Sequence, residues 1–301
     1  MADVDHDGLS DALEARLIEQ FRPVWMVSSN DCSKVPARFV PDAAVPRVSA
    51  EDGTIYAQAR PAAAGDVEVH YYHLWRRDCG EMGHALDTEH VAVLLHPDGA
   101  KWKAMAWYAA AHEDTVCDAG QVSRASTIDA VEHGARVWVS AGKHASYFAE
   151  RLCNHGCGGD RCEQMRELPA GELINLGEPL FPSVAWTHAP QWPLLAKMSR
   201  SDFGEARINR LGKLPETDIA WATPEKRSSQ AAILGVNAGL GGAAVGANSG
   251  ARATNTAMVV ASDKAGGALG NAARHAGGAL GKSYRGVRHG LVKVLGNGAP
   301  R

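Results

Sequence analysis

Gly83-His84-Ala85-Leu86-Asp87-Thr88-Glu89-His90-Val91-Ala92-Val93-Leu94-Leu95 begins polar and ends as an unbroken apolar run. Upstream lies a second strand-like segment, Val67-Glu68-Val69-His70-Tyr71-Tyr72. Both read as β-strands, and the polar head of the second one places chemistry at a strand entrance. Residues two apart in extended backbone share a face, so Asp87 and Glu89 should point the same way. A turn near Gly83 would let His84 join them. One imidazole and two converging carboxylates make a site for a divalent cation, Mg2+ or Ca2+. The same residues also fit a solvated strand edge carrying ordinary charges.

Working outward, further strands are expected at residues 25–28, 103–109, 135–140 and 171–176. Turn chemistry such as Pro97-Asp98-Gly99 and Glu132-His133-Gly134 separates several of them. Short helical pieces are expected at 145–152 and around 194–211. Residues 179–193, rich in Pro and Trp and including Trp186 and Trp192, read as an irregular wrap. The spacing predicts a mainly β chain, a β-sandwich with peripheral helices, rather than a parallel α/β sheet. Three regions are expected: a loop and helix at 1–21, the sandwich at 22–225, and an extension at 226–301.

Three blocks carry a resemblance. Gly83-His84-Ala85-Leu86-Asp87-Thr88-Glu89-His90-Val91 resembles the Gly-His-Arg-His-Asp-Trp-Glu signature of the necrosis- and ethylene-inducing-peptide-like (NLP) proteins. It also resembles the His-x-x-Asp-Trp-Glu-His-Val segment of the related vacuolar protein sorting 62-type family. Val137-Trp138-Val139-Ser140-Ala141-Gly142-Lys143-His144-Ala145-Ser146-Tyr147-Phe148 is similar to a strand and Gly-Ser-His-Ala-Ser-Tyr segment of the latter, and Phe21-Arg22-Pro23-Val24-Trp25 to its Phe-Ala-Pro-Val opening. The blocks keep the family's order over roughly residues 15–190. The resemblance implies a β-sandwich, and it implies that His84, Asp87 and Glu89 help hold a divalent cation, with Asp78 as a further acidic ligand. The chain departs from the lytic signature at Leu86, where the family has a second His, and at Thr88, where it has Trp. His144 ends a strand within the second block, and His112 follows another strand. If those strand ends gather at one edge, both face the same cleft as His84.

The N-terminus carries a second motif. Asp3-x-Asp5-x-Asp7-Gly8-x-x-Asp11-x-x-Glu14 follows the template of a calcium loop, with Leu9 supplying a backbone carbonyl and Glu14 able to bind through both oxygens. The exiting helix is visible in Leu13, Leu17, Ile18 and Phe21, which fall on one face. Only Met1 and Ala2 precede the loop, so it reads as a single structural calcium staple rather than one half of a paired sensor. An acidic, capped helix start without metal fits the same residues.

Charge is uneven along the chain. The formal net charge is -3. Residues 230–301 contribute eight basic residues against the one acid Asp263, so the preceding body is strongly acidic. The six cysteines are Cys32, Cys79, Cys117, Cys153, Cys157 and Cys162. An even count beside a calcium loop predicts disulfides and an oxidising compartment, hence a secreted or cell-envelope protein, with the pairing left open. Zinc held by Cys153, Cys157, Cys162 and His155 is the competing reading. Met1 runs directly into the acidic loop with no leader, as expected of a mature chain whose export signal has been removed.

The extension is a Gly/Ala-rich helical tail. Gly242, Gly246 and Gly250 recur every four residues, a spacing that permits close helix approach and so a homo-oligomer contact. The hexad Ala-Gly-Gly-Ala-Leu-Gly occurs at 265–270 and again at 276–281, and Leu269, Ala276, Leu280, Tyr284, Val287, Leu291 and Val294 line one helical face. Arg274, Lys282, Arg285, Arg288 and Lys293 populate the rest, the pattern of a basic amphipathic helix that meets a membrane surface or an anionic partner. A Gly-rich tail with no such role also fits. Ala276–Ser283 matches a permissive phosphate-loop pattern, but no strand precedes it. Nucleic acid is not expected as a partner, since Tyr284 is the only aromatic there.

The leading functional expectation is cation-dependent recognition of a glycan or lipid headgroup at a membrane surface, with membrane damage as its possible end. The alternatives are a metal-dependent hydrolase of phosphoesters or glycans, using Glu89 with His144 as base, and a structural cell-surface or assembly protein. No Gly-x-Ser-x-Gly elbow and no His-Glu-x-x-His helix occurs, which removes two common hydrolase classes.

Overall fold

The apolar run opens into the longest strand among the described residues. In the computed structural model, which describes residues 2–40, 46–80, 83–113, 115, 118–154, 156, 159–176 and 214–226, Val67–Arg77 (β5) and Ala85–Asp98 (β6) form a long antiparallel pair, with Trp75 opposite Asp87 and His73 opposite Glu89. The other strands, in chain order, are β1 (Val24–Ser28), β2 (Ala37–Phe39), β3 (Val48–Glu51), β4 (Ile55–Pro61), β7 (Lys101–Ala109), β8 (Gln121–Arg124), β9 (Arg136–Val139), β10 (Ser146–Tyr147), β11 (Met165–Glu167), β12 (Leu173–Asn175) and β13 (Ala220–Trp221). Two short helices are described, α1 (Asp11–Gln20) and α2 (Glu150–Cys153).

A seven-stranded sheet runs β12-β4-β5-β6-β7-β8-β13, and a four-stranded sheet runs β10-β9-β1-β11. The pairing is antiparallel except for β1 with β9 and β12 with β4. Alternation along β5 and β6 decides which side chains meet the second sheet. Tyr71, His73 and Trp75 share a face with Asp87, Glu89 and Val91. His73 lies 4.7 Å from the Trp25 ring of β1, centroid to centroid, and its imidazole reaches the Ser146 hydroxyl of β10 at 2.8 Å. The chain is thus a mainly β sandwich. The helix α1 closes one end of the core: Leu17, Ile18 and Phe21 are buried, and the Tyr71 hydroxyl donates to the Ile18 carbonyl at 2.9 Å. The opposite face of the large sheet is also covered, with Tyr56, Tyr72 and Leu74 packed on Ala37, Phe39 and Ile174.

Residues 145–152 do not form the expected helix. Ser146 and Tyr147 pair with β9, and the Ser146 amide donates to the Ala110 carbonyl at 2.7 Å, so tertiary pairing captures the first half and helix survives only over Glu150–Cys153. Four cysteines form two disulfides, Cys32–Cys79 and Cys153–Cys162. The second bridge removes two ligands from the competing zinc reading. Cys117 and Cys157 lie outside the described residues, as do His155, the helix and wrap expected over 179–211, and the basic extension with Arg274, Lys282, Arg285, Arg288 and Lys293.

Candidate functional site

The entrance of β6 gathers charge, although not as one compact ligand set. Asp87 and Glu89 do share a face, but that face is turned inward. His144 lies between Asp87 and a carboxylate absent from the sequence-based set, Asp31. Its Nδ1 donates to Asp87 Oδ2 at 2.9 Å, and its Nε2 faces Asp31 Oδ1 at 3.4 Å. His144 is 0% exposed, and Asp31 and Asp87 are also buried. Its ring stacks on Trp75 with centroids 4.0 Å apart and planes 8° from parallel. Burial opposes a charge on this imidazole, but Asp31 and Asp87 outweigh it and its pKa is pushed up to about 9. Burial likewise opposes charge on Asp31, yet His144 and the amides of Gly142 and Ser33 draw its pKa below the usual carboxylate value. The group is a buried Asp–imidazolium–Asp triad.

Behind the triad runs a neutral relay. The Trp75 indole donates to His73 Nδ1 at 2.6 Å, which fixes the proton of His73 on Nε2, where it points to the Ser146 hydroxyl. A second acid–imidazole pair lies beside Glu89. His112 Nε2 meets Asp160 Oδ2 at 2.8 Å, the same oxygen accepts from the Tyr147 hydroxyl, and Lys143 Nζ stands 4.0 Å from Oδ1. Burial disfavours charge on His112, but Asp160, with a smaller contribution from Glu89, raises its pKa. His112 and Lys143 each keep 19% of the side chain exposed, so both reach the surface.

His84 stands apart. Leu86 adopts a left-handed φ of 64°, which breaks the extended run before Asp87, and the His84 side chain is 59% exposed. Its Nε2 lies 3.9 Å from Asp78 Oδ2, and its backbone carbonyl accepts from the Asp78 amide. The turn needs glycine at 83, because a Cβ there would collide with the Asp78 carbonyl. Leu86, His112 and His144 are all non-glycine residues in left-handed backbone, a conformation held only where surroundings over-determine it. The structure therefore pairs Asp87 with His144, Glu89 with the neighbourhood of His112, and His84 with Asp78.

Among the described residues, the only group with three ligand atoms mutually within 4.8 Å is Asp3, Asp5 and Asp7. Gly8 takes a left-handed φ of 97° and its amide donates to Asp3 Oδ2 at 3.2 Å, while the Val4 amide donates to Asp11 Oδ1 at 3.0 Å. Partial burial, followed by the neighbouring Asp7 and Asp3, raises the pKa of Asp5. Glu14, in the first turn of α1, is buried.

Asp31, Asp160, Tyr147 and Lys143 were missed from sequence. Asp31 precedes Cys32, and Asp160 sits inside the loop closed by Cys153 and Cys162. An acid beside a bridged cysteine is the signal that could have found both.

No protein-family profile matches the chain, and no curated protein matches it. Solved structures similar to it include Necrosis and Ethylene inducing Protein 2 from the causal agent of cocoa's Witches Broom disease, at 17% identity over 58% of this chain and 81% of that one, with a TM-score of 0.39. NLPPya in complex with glucosamine is similar at 20% identity, covering 58% and 77%, with a TM-score of 0.36. The non-toxic HaNLP3 protein is similar at 13% identity, covering 55% and 74%, with a TM-score of 0.33. Likeness at this level carries no argument about what the chain binds or does.

Proposed function

We propose that this chain is an exported, divalent-cation-dependent β-sandwich protein that recognises a glycan or lipid headgroup at a membrane surface, with membrane damage as its possible end. The observation that carries the reading is the loop whose Asp3, Asp5 and Asp7 ligand atoms converge within 4.8 Å above a helix that closes the core. Calcium in that loop would be held by Asp3, Asp5, Asp7, the Leu9 carbonyl and Glu14, with Asp11 at the position often bridged by water. A second cation, Mg2+ or Ca2+, would be held at the β6 entrance by His84 and Asp78, since Asp87 and Glu89, the other residues of that set, are turned inward toward His144 and His112. His112 and Lys143 add positive charge at the same surface, suited to the phosphate or acidic sugar of a headgroup. Two disulfides and an acidic body are in keeping with export. Among the described residues no helix is long and apolar enough to cross a membrane.

The hydrolase reading is less well supported, because its base is His144. An imidazolium with a pKa of about 9, buried between two carboxylates, has no free lone pair to take a proton from water near neutral pH.

Metal content of the purified protein, followed by calcium-dependent flotation with liposomes bearing acidic or glycosylated headgroups, tests the proposal. Wild type should bind two cations, His84→Ala/Asp78→Ala one, and only wild type should float with vesicles. Equal metal content in the two proteins would remove the second site. Calcium should also stabilise the whole sandwich, since α1 is part of its core. At a hundredfold excess over Kd the gain is about 2.7 kcal/mol, read as a rise in Tm that Asp3→Ala/Asp5→Ala abolishes. No calcium-dependent Tm shift in wild type would leave the loop a metal-free helix start.

A further inference from the structure

We infer that the outward face of the four-stranded sheet carries a saccharide subsite, built from residues separate from the β6 entrance and independent of the function proposed above. Strand β9 sends Val137 and Val139 into the core, so Arg136 and Trp138 face outward, beside Val24 of β1. There they line a cleft of about 490 Å³ together with Thr127, Ile128, Asp129 and His133. That volume falls within the roughly 300–1,000 Å³ typical of small-molecule sites.

The chemistry of the lining selects the class of ligand. Trp138 is half-buried and offers an indole face whose weakly negative π-cloud suits the C–H bonds of a pyranose ring. The Arg136 and Asp129 side chains are exposed, line the same cleft, and have no ion-pair or hydrogen-bond partner among the described residues, each other included. A guanidinium donates and a carboxylate accepts, and a ring with vicinal hydroxyls satisfies both while laying its apolar face on the Trp. Asp129 is held in left-handed backbone with φ of 52°, at the end of the short helical turn formed by Ala125–Ile128. An apolar peptide segment would leave both charges unpaired on binding, which disfavours it.

Saturation-transfer NMR on the full chain, with the methyl glycosides of glucose, mannose, galactose and N-acetylglucosamine as probes, tests the subsite. At least one should bind at millimolar concentration. Trp138→Ala and Asp129→Asn should each weaken it at least tenfold, while chelation of metal leaves the Trp138-dependent binding unchanged. Asparagine tolerates left-handed backbone, so Asp129→Asn stays informative if Trp138→Ala fails to fold. Absence of transfer to all four probes, or transfer indifferent to both variants, would overturn the inference. Binding lost with metal would assign the sugar to the β6 entrance instead and overturn it equally.

Discussion

His144→Ala should destabilise the protein by about 3–5 kcal/mol, the expected consequence of leaving two buried carboxylates without their cation. Asp31 and Asp87 would then face each other across a cavity lined by Trp75, whose stacking partner is gone. His144→Gln, which fills the space and can donate one hydrogen bond, should recover part of that loss but none of its pH dependence. Because the folded-state pKa of His144 stands above the unfolded value near 6.5, the triad contributes in full below about pH 6.5 and is lost as pH rises through about 9. The swing amounts to about 3 kcal/mol. Asp31 works at the other end. Its folded pKa is lowered, so its share is present at neutral pH and fades as pH falls through the acid range. Wild-type urea midpoints should therefore decline between pH 6.5 and 9 more steeply than those of His144→Gln, in which His112, whose pKa is also raised, still contributes a decline. Parallel profiles for the two proteins would mean that His144 is neutral in the folded state.

The β6 entrance was partly legible in sequence, and the reasons for the failures are physical. The period of two placed Asp87 and Glu89 on one face correctly, since a strand permits nothing else once its register is fixed. It could not say whether that face met solvent or the second sheet. His73 and Trp75 opposite them are amphipathic side chains, compatible with either environment. His84 was separated from the pair by Leu86, whose left-handed backbone no local propensity signals, because leucine there is held by its surroundings. The strand β4 escaped notice because Ala57, Ala59 and Pro61 have little strand preference, and both its faces are covered, which erases alternation. The convergence of Asp3, Asp5 and Asp7 was readable because those residues alternate within one short loop and the geometry is local. The triad needs Asp31, fifty-six residues from Asp87 in sequence, and contacts of that range leave no periodic trace.

Cys32→Ser/Cys79→Ser should lower stability by about 4 kcal/mol, from loop closure over a separation of 47 residues, against about 3 kcal/mol for the shorter Cys153–Cys162 loop. Chain entropy is only part of the expected effect. Cys32 follows Asp31, and Cys79 follows Asp78, so this one bridge ties the carboxylate that clamps His144 to the carboxylate that faces His84. The Cys79 amide donates to the Gly142 carbonyl at 2.6 Å, and the Gly142 amide donates to Asp31 Oδ2 at 3.0 Å, which closes the circuit back to the triad. Cys32 is exposed, so a small dithiol can reach this bridge, whereas Cys153 and Cys162 are buried. Mild reduction and the double variant should agree in lowering the urea midpoint. Both should also flatten the decline between pH 6.5 and 9, because an Asp31 that wanders no longer holds the imidazolium. A variant that loses stability yet keeps the full wild-type slope would show that the two sheets alone fix Asp31 against His144, and that the bridge acts on the unfolded chain and not on the site.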